Sequence, residues 1–318
     1  MQSRSRRHFI ASLPAAAAGM LLSQRSSARS LSPPPTNGRA SYAGRLPWRT
    51  VFVGEDKFDE LCREAQRGNW AALPLGQRTS TVSKALLGTR YGSFTLEIDD
   101  HVEAASVNFH ELDCWTFYEV SLAFARMIHS HPAPWTGPEL LHFIELERYR
   151  DGCCDGLYLS RMHHLEEVFA NNERRGLGRN LTPSLGGLPI RRDIKEMQVA
   201  WHRYRYLRCN PSYRSGMAGL EGRVSRLPVT YIPKGSVAHI ESELQSGDVL
   251  AIVSRDESAY TSHVGLALRD GSTCRFMHAT SSRAKGHRCI IDGRISQYLA
   301  EKPQDLGLIV FRPSEASV

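Results

Sequence analysis

The clearest periodic run of apolar positions is Phe117, Val120, Phe124, Met127 and Ile128. Steps of three and four residues place these side chains on one stripe of a helix, expected over 114–129. Asp113 stands where an N-cap belongs. Upstream, 57–67 and 78–87 read as short helices, 88–92 as a turn, and 93–98, which alternates, as a strand. Thr136-Gly137-Pro138-Glu139 has the form of a capping box and predicts a helix to near Arg150, stopped by Asp151-Gly152. Residues 158–172 and 216–227 are helix-like, and 229–232 is strand-like before the turn at Pro233-Lys234-Gly235. The last third changes character: 248–253, 263–268, 274–278, 288–291 and 308–311 are short apolar runs separated by Gly, Asp and Ser turns. That is the pattern of a meandering antiparallel sheet. Helices first and strands last predict an α+β fold, with the 114–129 helix packed on the sheet and a large, mostly helical insertion over about 129–240. No internal repeat is seen, and 49–316 reads as one domain.

The first 28 residues do not read as fold. Ser5-Arg6-Arg7-His8-Phe9-Ile10 is a twin-arginine pattern, an apolar run follows from Ala11 to Leu22, and Ser26-Ser27-Ala28 offers small residues for cleavage. This predicts a twin-arginine export signal and a periplasmic mature protein, with a Sec signal or an uncleaved anchor as the alternatives. The run is too short and too interrupted by Pro14 to span a bilayer, and no other transmembrane candidate is present. Residues 29–48, rich in Pro, Ser, Gly and Arg, read as a flexible tether. The formal charge is +7; Arg4, Arg6, Arg7 and Arg25 supply four of those charges, so the mature chain is near +3. With no basic stripe interleaved with aromatics, a nucleic-acid partner is not expected.

The candidate chemistry begins at Cys114. At a helix start it lies beside unpaired N–H groups and the positive end of the helix dipole, an environment that favours thiolate. The dipole supplies only about 0.3–1 kcal/mol, so a nearby imidazolium is needed, and His263 in Ser262-His263-Val264-Gly265 is the candidate. His278, in Phe276-Met277-His278-Ala279, falls on the next strand if Gly271-Ser272 is the hairpin turn. A polar group there can hold the first imidazole in its tautomer and orientation. His110, Glu111 and Asp113 have no second cluster at metal spacing, so neither a metal nor another cofactor is expected. The seven cysteines are Cys62, Cys114, Cys153, Cys154, Cys209, Cys274 and Cys289. In an exported protein an odd count suggests three disulfides and a free Cys114, with Cys274–Cys289 the leading pair because they flank a hairpin around 281–285.

The ordered set of helix-borne Cys114, Gly247-Asp248, Ser262–Gly265 and Met277-His278-Ala279 resembles the NlpC-type, papain-like cell-wall cysteine amidases. One branch is more similar, the N-acetylmuramoyl-L-alanine amidase-like family. The matching segments are 108–119, 148–152, 159–163, 180–182 and 231–235, and the resemblance spans roughly 50–312. It implies Cys114 as nucleophile, His263 as base and His278 as its orienting partner. It also implies hydrolysis of the amide between the lactyl group of N-acetylmuramic acid and L-alanine, on soluble muropeptides with 1,6-anhydro ends preferred. Glu111-Leu112-Asp113-Cys114-Trp115-Thr116 departs from the common Gly-Phe-Asp-Cys-Ser-Gly run. The separation of cysteine and histidine is also longer, which would make 129–240 an insertion shaping a different groove.

Further residues follow from the same comparison. Gly88-Thr89-Arg90-Tyr91 resembles a Gly-x-x-Tyr segment upstream of such nucleophiles, making Tyr91 a candidate oxyanion donor beside a packed strand-edge tyrosine. Arg161 and His163 are candidates for binding glycan or peptide carboxylate, against ordinary polar residues of a surface helix. Asn108 either bridges loop and site or terminates a strand. Two other functions remain open: a γ-D-glutamyl-diaminopimelate endopeptidase on the same core, and a wall-binding module without turnover.

Overall fold

The computed structural model of the protein describes residues 42–316. The expected export signal lies outside the described residues, as does most of the expected tether; its last part forms a 3-10 turn, Tyr42–Arg45, and Trp48–Val51 begins a short helix.

The fold is α+β. The longer helices are α1 (Glu55–Arg67), α2 (Leu75–Ala85), α3 (Cys114–Ser130), α4 (Gly137–Arg148), α5 (Leu165–Arg174) and α6 (Tyr213–Val224). One eight-stranded sheet is built from β1 (Gly178–Asn180), β2 (Leu188–Pro189), β3 (Thr230–Pro233), β4 (Val249–Ser254), β5 (Thr261–Asp270), β6 (Thr273–Ala279), β7 (Cys289–Arg294) and β8 (Asp305–Pro313). Its order is β7-β6-β5-β4-β8-β3-β2, with β1 also paired to β8. Residues 129–240 are mostly helical, but they are not separate from the sheet: β1 and β3 take successive parts of one edge of β8.

Period-two alternation divides the core. Val249, Ala251, Val264, Leu266, Met277 and Ile309 face α3, while Leu250, Ile252, Ala267, Phe276 and Leu308 face the opposite side, where Leu299 and Val237 cover them. Helix α3 lies between the sheet and the helices α2 and α4. Every residue from Thr116 to Ile128 is buried, so α3 is a central helix and not an amphipathic surface one.

The predicted strand at 93–98 does not form. Phe94 sits at φ 59, in the left-handed region, and 93–96 is turn. The disulfide expectation is also overturned, for all seven cysteines are free. Cys274 belongs to the core face turned away from α3 and Cys289 to the face turned toward it, so the sheet itself separates them.

Candidate active site

The start of α3 is fixed by a capping box in which the Asp113 carboxylate accepts the Thr116 N–H at 2.8 Å and the Thr116 hydroxyl accepts the Asp113 N–H at 2.9 Å. The cap satisfies the Thr116 amide and leaves the N–H groups of Cys114 and Trp115 without a helical acceptor. Both point at the Cys114 sulfur, and the Val264 N–H joins them.

The third contact follows from how the sheet opens. Ala267 N–H bonds to the Asp248 carbonyl, and that phase turns the Val264 N–H away from β4 toward β6. The β5–β6 ladder ends at Leu266–Met277, so beyond it Val264 has no strand partner on that side. The N–H that meets the sulfur is thus the one left open where the two strands part, on the residue that follows His263. Gly265 permits this arrangement, because a Cβ there would lie 2.4 Å from the Met277 carbonyl oxygen and force β6 away.

His263 and His278 project from the two splayed strands and meet. His263 Nε2 is 2.7 Å from His278 Nδ1, and His278 Nε2 is 3.4 Å from Asp292 Oδ2. Lys285 donates to the same Asp292 oxygen. Tyr298 and Phe276 pack against both rings. Asp292 was missed in reading the sequence, although an acid ending the apolar run Cys289-Ile290-Ile291 was a usable signal. Ile290 pairs with His278, so Asp292, two residues on, shares its face.

The electrostatics reverse one expectation. Burial, and then the adjacent Asp113 carboxylate, push the Cys114 thiol up to about 12, outweighing the three N–H groups that favour thiolate. The residue that caps the helix therefore also opposes charge on the sulfur. His263 is held well below the ordinary histidine value by burial, then by His278 and Lys302. His278 is lowered by burial against the pull of Asp292, which itself is driven down by the His278 hydrogen bond and by Lys285. Both shifts favour the uncharged forms, a protonated Cys114 thiol and a neutral His263 ring.

Cys114 opens on a cavity of about 300 Å³, within the range of small-ligand sites. Tyr91 and Phe94 line it from the segment before α3, and Arg161, His163 and Glu196 line it from the insertion. Tyr91 lies on a two-residue strand paired with Glu111–Leu112, and burial, then the neighbouring Cys114, push its phenol up to about 12, so it remains a donor. Arg161 is buried and neutralised by Glu97 at 2.7 Å and Glu103 at 3.6 Å; it shapes the wall and is not a bare cation. His163 Nε2 lies 3.0 Å from the Tyr158 carbonyl, to which it donates, and burial keeps its ring neutral. Asn108 is not in the cavity wall. Its Oδ1 accepts the His110 and Glu111 N–H groups, holding the turn that leads into α3.

The model of the AmiA-like, N-acetylmuramoyl-L-alanine amidase-like family matches residues 81–308. The chain belongs to that family. None of the curated proteins compared with it matches. Among solved structures, an N-acetylmuramoyl-L-alanine amidase from Bacteroides uniformis superposes with a TM-score of 0.67 at 24–25% identity, over 76% of this chain and 99% of that one. A Bacteroides fragilis protein described as a proposed xylanase gives 0.63 at 27% identity, over 73% and 99%. A Legionella pneumophila protein shares the fold at 0.59 and 17% identity, over 83% and 97%. The matched span of the amidase-like family contains Tyr91, Cys114, His263, His278 and Asp292 together. Among the described residues no helix is long and apolar enough to cross a membrane.

Proposed function

We propose that the protein is a cysteine amidase of NlpC-type, papain-like design that hydrolyses the amide between N-acetylmuramic acid and L-alanine in soluble peptidoglycan fragments, with anhydro-muropeptides preferred. The observations that support this reading are the Val264 N–H against the Cys114 sulfur, one residue along the strand from His263, and the hydrogen bonds that run from His263 to His278 and Asp292. The twin-arginine pattern supports a periplasmic site of action.

His263 Nε2 is engaged by His278, which leaves Nδ1 to take the thiol proton. The Cys114 sulfur attacks the lactyl carbonyl carbon as its proton passes to His263. The carbonyl oxygen becomes an oxyanion, received by the Cys114 and Trp115 N–H groups, with the Tyr91 hydroxyl as a further donor. Collapse breaks the C–N bond, and the His263 imidazolium gives its proton to the alanine nitrogen. Water, deprotonated by His263, then cleaves the thioester, and the thiol recovers its proton. A proton-coupled attack of this kind suits a raised thiol pKa, because no free thiolate has to exist beforehand.

Incubation with purified muropeptides and mass analysis of the products tests the reading. Free sugar plus an intact stem peptide is expected. A cut between D-glutamate and diaminopimelate would establish the endopeptidase instead, and retained binding without products would establish a non-catalytic module.

A further inference from the structure

Phe94 occupies a backbone conformation that costs a bulky residue, with φ at 59, and yet the residue is 43% exposed. Folding therefore gains little from burying it. The ring lines the same cavity as Cys114. It is braced from the insertion: Tyr204 packs edge to face at 5.8 Å and 88°, and the Arg203 guanidinium stands over the ring 5.9 Å from its centre. Arg161 is matched by two glutamates, but no ion pair among the described residues includes Arg203. An exposed aromatic is thus held in a strained pose on the cavity wall, beside a guanidinium that acts electrostatically on Glu196 but is not locked in an ion pair.

We propose that Phe94, with Tyr204 and Arg203, is the platform that receives the sugar ring of the substrate. The site thereby selects a peptide joined to an N-acetylated pyranose over the same peptide alone. This rests on the amidase reading above. A pyranose has an apolar C–H face and a rim of hydroxyl, ether and acetamido oxygens. Its C–H groups carry partial positive charge and complement the negative face of an aromatic ring. A guanidinium offers planar N–H donors to the rim oxygens. A stem peptide presents no flat apolar face next to acceptors; its carboxylates would use Arg203 and leave Phe94 without a role.

The test compares two substrates with the same stem, an N-acetylmuramoyl-L-alanyl peptide and a D-lactoyl-L-alanyl peptide, in the wild type, Phe94→Ala and Phe94→Trp. The wild type is expected to prefer the sugar-bearing substrate. Phe94→Ala should lower kcat/KM for it at least tenfold, mainly through KM, so that the preference collapses, and Phe94→Trp should restore it. Equal loss on both substrates, an unchanged preference, or a loss that follows the stem carboxylates overturns the platform. If Phe94→Ala does not fold, Phe94→Gly replaces it, because glycine suits the left-handed backbone, and the same outcomes apply. If the wild type cleaves neither substrate, the amidase reading fails by itself. Calorimetry with N-acetylmuramic acid then decides the platform: binding weakened at least tenfold by the substitution supports it, and equal or absent binding overturns it.

Discussion

His263 Nε2 and His278 Nδ1 lie 2.7 Å apart, and one of the two nitrogens must carry the proton. Asp292 decides which. Its carboxylate accepts from His278 Nε2, which leaves His278 Nδ1 as an acceptor and makes His263 Nε2 the donor. The free nitrogen of His263 is then an acceptor, as a base requires.

Asp292→Asn removes the charge that fixes this order. Turnover is expected to fall roughly 100-fold with little change in KM, on the scale of a mis-set tautomer or a lost acid–base contribution. Full activity in the variant, measured by steady-state kinetics, would remove Asp292 from the relay.

The proposed attack by a neutral thiol has a signature in pH. His263 is lowered, so its ring protonates and loses function only below the ordinary value of about 6.5. The thiol stays protonated until about 12. kcat/KM should rise with pH through an acid limb below 6.5 and then stay flat through pH 9. A bell falling near pH 8–9 would instead report an imidazolium that must be kept, and hence a preformed thiolate.

Much of this arrangement was legible in the sequence. The 3.6-residue period gave α3, and Asp113 with Thr116 marked its first turn. The apolar runs of the last third gave the sheet, which put His263 and His278 on adjacent strands. What escaped depended on tertiary context. The thiol's environment could not be read from a helix start, because burial and the charge of Asp113 outweigh the helix dipole. Cys274 and Cys289 looked paired along the chain, but strand alternation sends them to opposite faces. The 93–98 alternation was real, but the left-handed backbone at Phe94 breaks any strand there.

Arg148 binds Glu119 through both carboxylate oxygens, and both side chains are 1% exposed. It also reaches Ser106, so it ties α4 to α3 and to the loop before it. Arg148→Met leaves Glu119 buried and unpaired, at a cost of about 3–5 kcal/mol. Thermal melting should drop by roughly 10 °C, and the double variant Arg148→Met/Glu119→Leu should recover much of it. No drop in the single variant would show that the pair does not hold the helix.

Titration of the unfolded protein with a thiol reagent should find all seven cysteines reactive without reductant, and reductant should leave the melting temperature unchanged. Two or more missing thiols would contradict the free state of the cysteines.

The most direct measurement is the intact mass of the protein quenched in acid during turnover of an N-acetylmuramoyl-L-alanyl peptide. The expected result is an added mass equal to the muramyl acyl group, mapped to the peptide containing Cys114 and absent from Cys114→Ala, whose turnover should fall by at least about 10³-fold. Undiminished turnover in Cys114→Ala, or an adduct that carries the stem peptide in place of the sugar, would contradict it.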